Sequence, residues 1–188
     1  MEGKYLPYIN CPDDVKRIDE KELSVLADEV RRELITTVSK NGGHLASNLG
    51  VVELTIALHR VFSSPEDKIV WDVSHQCYTH KLFTGRGAKF DTLRKPGGIS
   101  GFTRRNESEH DVMSGGHSSV ALSAAYGIAA ANKITIDEVN VGFKYFVKGL
   151  SEGRYILSLP LWVTVLLRAV WFTKPLTMQA EQARAQGL

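Results

Sequence analysis

Leu23, Leu26, Val30, Leu34 and Val38 recur at intervals of three and four residues. That spacing lines one face of a helix. Asp19 with Glu22 resembles a capping box, and Asn41-Gly42-Gly43 supplies a stop, so the pattern predicts a helix over about 20–40. Val52, Ile56 and Leu58 predict a second helix over about 50–62. The run KIVWDV, Lys68–Val73, is short, apolar and rich in β-branched residues, which predicts a buried strand. A helical segment is expected from about Gln76 to Thr84. Residues 85–117, rich in Gly, Arg and Glu, predict a long loop with one short helix near Asp91. Ser118–Asn132 is built almost wholly of small residues and predicts a helix that packs closely. Pro7 and Pro12 make residues 1–17 an irregular arm. Helix, strand, helix, loop and helix in that order predict an α/β layer architecture.

The last third follows another pattern. Ile136, Val139, Phe143, Phe146 and Leu150 have helical spacing, with Thr135 and Glu138 placed to cap them. After Gly153 comes RYILSLPLWVTVLLRAVWFTKPL, bulky and apolar but broken by Pro160, Arg168 and Pro175. It is too short and too interrupted to read as a membrane span. The expected division is residues 1–132 as one unit and 133–188 as a divergent tail.

Composition narrows the class. The chain has 188 residues, 43% of them hydrophobic and 23% charged, enough for one globular core. The net charge is +2 with both signs interspersed, which excludes a basic stripe for nucleic acid. Cys11 and Cys77 form neither a CxxC pair nor a zinc spacing, so a reducing cytoplasm is the expected compartment. The opening MEGKYLPYINCPDD has no apolar core of a signal peptide.

Three corners carry the candidate chemistry. Gly115-Gly116-His117-Ser118 stands directly before the small-residue helix. Helix N-termini present unpaired N–H groups to anions, and glycines allow close approach. NGGHLASNLG, Asn41–Gly50, repeats the device with His44. WDVSHQCYTHK, Trp71–Lys81, sets His75 just past the strand, where ligands of open α/β sheets sit. Alone, the first corner is equally well a Ser-capped helix with glycines for a turn, and the second reads as an ordinary helix–helix loop with a surface histidine. Together they suit a site that binds a phosphorylated ligand and moves protons. His59 reads as a helix-surface or core-edge residue, His110 as a loop residue, and no spacing predicts a metal site.

GGHLASNLGVVELTIALHRVF, DKIVWDVSHQCYTHKLFTGRG and GGISGFTRRNESEHDVMSGGHSSVALSAAYGIAAA together resemble the 1-deoxy-D-xylulose-5-phosphate synthase family, from about Tyr5 to Asn132. The joint set of motifs separates that family from its transketolase relatives. The resemblance implies the N-terminal part of a parallel-sheet, transketolase-like domain that binds thiamine diphosphate with Mg2+. It implies a transferase that takes pyruvate and glyceraldehyde 3-phosphate to 1-deoxy-D-xylulose 5-phosphate and CO2, for isoprenoid, thiamine and pyridoxal synthesis, in a homodimer. Carried over by position, His44 looks like the active-site histidine near the reacting carbon. His75 looks like the cofactor-contacting histidine, and Gly116, His117 and Ser118 like the segment lining the cofactor. Ser74 stands where the family usually has Gly, and would crowd the turn if its φ is positive; Thr79 stands where Pro is frequent.

The resemblance ends before the family's Gly-Asp-Gly, whose Asp holds magnesium; no Gly-Asp-Gly occurs in this sequence. Synonymous codons for Trp162–Ala180, read from the third base of the Trp codon, can encode Gly-Asp-Gly-Ser-Leu-Thr-Gly-Gly-Met-Val-Tyr-Glu-Ala-Leu-Asn-Asn-Ala-Gly. The hypothesis that follows is an out-of-frame tail on a truncated, inactive synthase piece. Coding DNA that does not spell this motif in another frame refutes it. The alternative expectation is a binding module that docks on a full-length synthase or on a membrane surface.

Overall fold

The computed structural model describes residues 1–134 and 155–158. Six α-helices and two strands are assigned among them: α1 Pro12–Lys16, α2 Leu23–Asn41, α3 Leu45–Leu49, α4 Val52–Val61, β1 Lys68–Trp71, α5 Tyr78–Lys81, α6 Ala121–Ile134 and β2 Tyr155–Ser158. The strands pair in parallel, Lys68 opposite Tyr155 and Trp71 opposite Ser158. Parallel strands need a crossover, and α6 lies in it, touching both strands. Among the described residues the architecture is thus mixed, with helices packed against a two-stranded parallel sheet.

The predicted apolar faces form the core. Leu26, Val30 and Leu34 of α2 are fully buried, as are Val52 of α4 and Trp71 of β1. Each such side chain contributes roughly 1.5–3 kcal/mol relative to exposure. The arm before α2 is more ordered than its prolines suggest. A short 3-10 turn covers Leu6–Tyr8, and α1 follows with Pro12 in its first turn and Cys11 and Asp14 forming a capping box. Glu29, buried in α2, fixes that arm by accepting from the backbone N–H groups of Lys4, Tyr5 and Leu6 at 2.7, 3.0 and 2.9 Å.

Other expectations shift in detail. Asp19 does cap, but it caps a 3-10 turn, Glu20–Glu22, accepting from Lys21 N–H at 2.9 Å. The stretch between the two expected helices is not all loop: it contains the five-residue helix α3. The segment after β1 is helical only over Tyr78–Lys81 and then widens into a π turn over Leu82–Arg86, where Thr84 and Gly85 leave helical geometry. A 3-10 turn at Gly87–Thr92 is the expected short helix near Asp91. The small-residue helix starts at Ala121 rather than Ser118. The expected helix over Ile136–Leu150 and the segment Trp162–Ala180 lie outside the described residues.

Candidate functional site

The three corners are built from the two ends of the α3 loop, the end of β1 and the approach to α6. Gly42, with φ +73°, ends α2 and turns the chain into His44, which is the N-cap of α3. His75 follows β1 by four residues. The His44 and His75 rings meet edge to face with centroids 5.0 Å apart, and Phe102 packs 6.1 Å from His44. His44 is exposed and His75 is half-buried. Burial, then the neighbouring His44, hold the His75 imidazole below its ordinary pKa of 6.5, with Asp72 opposing them. Its Nδ1 is buried and has no hydrogen-bond partner.

The third corner reaches the same strand end. Gly116 N–H donates to Val73 O at 2.8 Å, and Gly115 N–H donates to Thr103 O at 2.9 Å. Gly115 must be glycine. A Cβ there would lie 2.7 Å from Val73 O and would overlap Ser74 Oγ. Gly116, with φ +135°, faces open space where a side chain would stand. His117 and Ser118 are exposed, immediately beyond this contact. The fold therefore brings His44 and His75 together and ties Gly116 to the turn that carries His75, while His117 and Ser118 stand at its edge.

Ser74 meets the condition set for it. Val73 and Ser74 both adopt left-handed backbone, φ +57° and +68°, which costs roughly 1–3 kcal/mol per residue for non-glycine types. The hydroxyl does not simply crowd the turn. Ser74 is fully buried and its Oγ accepts from Thr103 N–H at 3.0 Å, pinning the loop before Gly115.

The α6 N-terminus differs from expectation. Asp72, buried at the end of β1, accepts from Ser119 N–H at 3.0 Å and Ala121 N–H at 3.2 Å. A carboxylate of the chain itself thus takes two of the amides that sequence reasoning assigned to phosphate. Asp72 sits three residues before His75, and only the fold brings it to α6.

Sequence reasoning also missed a buried ionic cluster. His59 is not at the core edge; it is fully buried, with its Nε2 2.9 Å from His80 Nδ1. His80 Nε2 lies 3.3 Å from Asp111. Asp111 accepts a two-pronged contact from Arg86 at 2.7 and 2.9 Å and another from Arg104 N–H at 2.7 Å. Lys81 Nζ is 2.6 Å from Glu107 and 3.9 Å from Asp111. Burial would raise the Asp111 pKa, but the hydrogen bonds from His80 and Arg86 outweigh it and hold the carboxyl well below its usual range. His59 and His80 are both pushed down, chiefly by burial. This cluster anchors the long loop that ends at Gly115. Its one sequence signal was the density of charge in RRNESEHD, Arg104–Asp111.

Among the described residues, no group of three or more His, Cys, Asp or Glu side chains is arranged to hold a metal, and no helix is long and apolar enough to cross a membrane. A separate open cavity of about 590 Å³ lies between α2 and α4, lined by Leu23, Arg31, Glu53, Ile56 and Arg60 among others. Neither His44, His75 nor the Gly116 corner lines it.

Comparison with known proteins bears on this site. A family profile described as 1-deoxy-D-xylulose-5-phosphate synthase matches residues 6–142. A protein of that name from Caldanaerobacter subterraneus subsp. tengcongensis is 57% identical over 136 residues, covering 72% of this chain and 22% of its own length. 1-Deoxy-D-xylulose-5-phosphate synthase 2 of Geobacter sulfurreducens is 60% identical over 132 residues, 70% of this chain and 21% of its own. The synthase of Treponema pallidum strain Nichols is 60% identical over 131 residues, again 70% and 21%. The chain thus spans about a fifth of the length of the curated relatives it matches.

Proposed function

Because this chain belongs to the 1-deoxy-D-xylulose-5-phosphate synthase family, we propose that His44, His75 and Gly116–Ser118 form the protein's share of a thiamine-diphosphate site. The reaction it serves is the family's: pyruvate and glyceraldehyde 3-phosphate to 1-deoxy-D-xylulose 5-phosphate and CO2. The observation that carries the reading is the convergence of two imidazoles and a glycine corner at the end of one parallel strand.

The residues fit the organic cofactor. His75 Nδ1 is buried and unpartnered, a costly state for a polar atom unless a ligand satisfies it. Gly116, bonded to Val73 O on the same turn, leaves open space where a side chain would stand. When bound, thiamine diphosphate supplies the electron sink that decarboxylation of a 2-oxo acid requires. His75 would hold the cofactor through Nδ1. His44, exposed at the N-cap position of α3, would give or take a proton at a substrate oxygen. The Phe102 ring lies 6.1 Å from that imidazole, centroid to centroid.

Among the described residues, no side-chain group fits the metal. Asp72, which reaches the residues just after the Gly116 corner, already accepts from two backbone amides, and no Gly-Asp-Gly occurs in the sequence. A diphosphate without its counter-ion binds weakly, so this chain by itself is expected to bind the cofactor weakly and not to turn over. The division into residues 1–132 and a tail over 133–188 belongs to the same reading, as do a homodimeric relative and a cytoplasmic setting.

NMR titration with thiamine diphosphate tests this. His75 and Gly116 signals should move at millimolar ligand, roughly −4 kcal/mol of binding, with little gain from Mg2+. His75→Ala should abolish the shifts. Shifts confined to other residues, or no shift at all, refute the site.

A further inference from the structure

The side chain of Asn48 joins the two histidine loops through their main chains, and we propose that Asn48 is the positioning residue that sets the spacing of His44 and His75. Asn48 lies in α3 and is fully buried. Its Nδ2 donates to His44 O at 2.7 Å and to His75 O at 2.8 Å. Its Oδ1 accepts from Tyr78 N–H at 2.9 Å.

The chemistry of the three partners dictates the side chain. Two are carbonyls and one is an N–H, so the position needs two donors and one acceptor on a planar fork. The opposite orientation of the amide would set oxygen against two carbonyls, so only one assignment works. Aspartate has the shape but no donor when ionised. Serine has a single hydrogen to give. In a site closed to water each of these bonds is strengthened, and each orphaned partner is costly.

Asn48 touches neither imidazole; it acts on where their backbones stand. The carbonyl of His44 belongs to the α3 loop and that of His75 to the turn after β1, so one carboxamide fixes the distance between two segments far apart in sequence. The bond to Tyr78 N–H adds the start of α5 to the same clamp. The inference rests on the reading that both histidines serve one ligand, but its test needs no ligand.

The test uses histidine-ring NMR on the full chain, with Asn48→Ala and Asn48→Asp. At a centroid separation of 5.0 Å, the wild type should show a cross-peak between the His44 and His75 rings. Asn48→Ala should lose it and should speed Tyr78 amide exchange roughly tenfold, since that N–H loses its acceptor. Asn48→Asp should lose the cross-peak yet keep Tyr78 protected, because an acceptor remains. Spectra are taken below the lowest melting temperature of the set, so a destabilised variant is still read folded. A variant that melts lower but retains the ring cross-peak overturns the proposal and leaves Asn48 a purely structural residue. Failure of the wild type to bind thiamine diphosphate, with the cross-peak behaving as expected, overturns only the cofactor reading.

Discussion

Asp111→Asn isolates the contribution of the buried ionic cluster. The wild-type cluster is balanced: Asp111 and Glu107 face Arg86 and Lys81, with His59 and His80 neutral. The substitution removes one negative charge and leaves Arg86, Lys81 and the Arg104 amide around a neutral group. Removing one partner of a buried ion pair costs about 3–5 kcal/mol, because the remaining charge stays desolvated. Asparagine keeps one acceptor, so the lower end of that range is expected. For a chain of this size 1 kcal/mol moves the melting temperature by about 2–4 °C, so the fall should be roughly 6–12 °C. Circular dichroism, with urea titration for the free energy, measures it. A double-mutant cycle with Arg86→Gln should return a coupling above about 1 kcal/mol. A loss below about 1 kcal/mol for Asp111→Asn alone refutes the idea that the carboxylate compensates buried cations.

Four further outcomes follow from described contacts. Stability should begin to fall below about pH 6.5, above the carboxylate range: His59, His80 and His75 have folded pKa values below 6.5, so the unfolded chain takes up protons first; urea titrations from pH 8 to 5 that show no loss contradict it. Glu29→Ala should orphan three backbone N–H groups, cost about 2 kcal/mol, and expose Lys4 to limited trypsin digestion. Gly115→Ala should destabilise strongly, and Ser74→Gly should not rescue it because Val73 O remains 2.7 Å from the new Cβ; rescue in a thermal melt would show that the Ser74 hydroxyl was the obstacle. Thr79→Val should stabilise by about 1 kcal/mol, since Thr79 Oγ1 is buried without a hydrogen bond.

The helices with long apolar stripes were legible because burial imposes one period on many residues. Leu26, Val30 and Leu34 announced α2, and Ile69–Trp71 announced β1. Short elements were not. α3 has five residues, and its sequence, LASNL, carries loop-forming Ser and Asn for reasons of contact rather than propensity. The corner residues His44, His75 and Gly116 were visible as motifs, and Ser74 was visible as a departure. What joins them was hidden. Asn48 and Asp72 act on backbone groups far away in sequence, and no periodicity records such a bond. His59 occupies a position whose helical neighbours are mixed, so its complete burial follows only from His80 arriving across the core.

The Asp72 bridge has a mechanical consequence. One carboxylate ties the end of a strand to the amides of Ser119 and Ala121, at the start of a fourteen-residue helix, which stiffens the joint between them. Hydrogen exchange at Ser119 and Ala121 should then rise and fall with that of β1, as one cooperative block. A visitor to the glycine corner that displaced the helix would have to break both bonds. It must be admitted by residues 114–118 or by the segment around His44, and those stretches will govern how fast it arrives and departs.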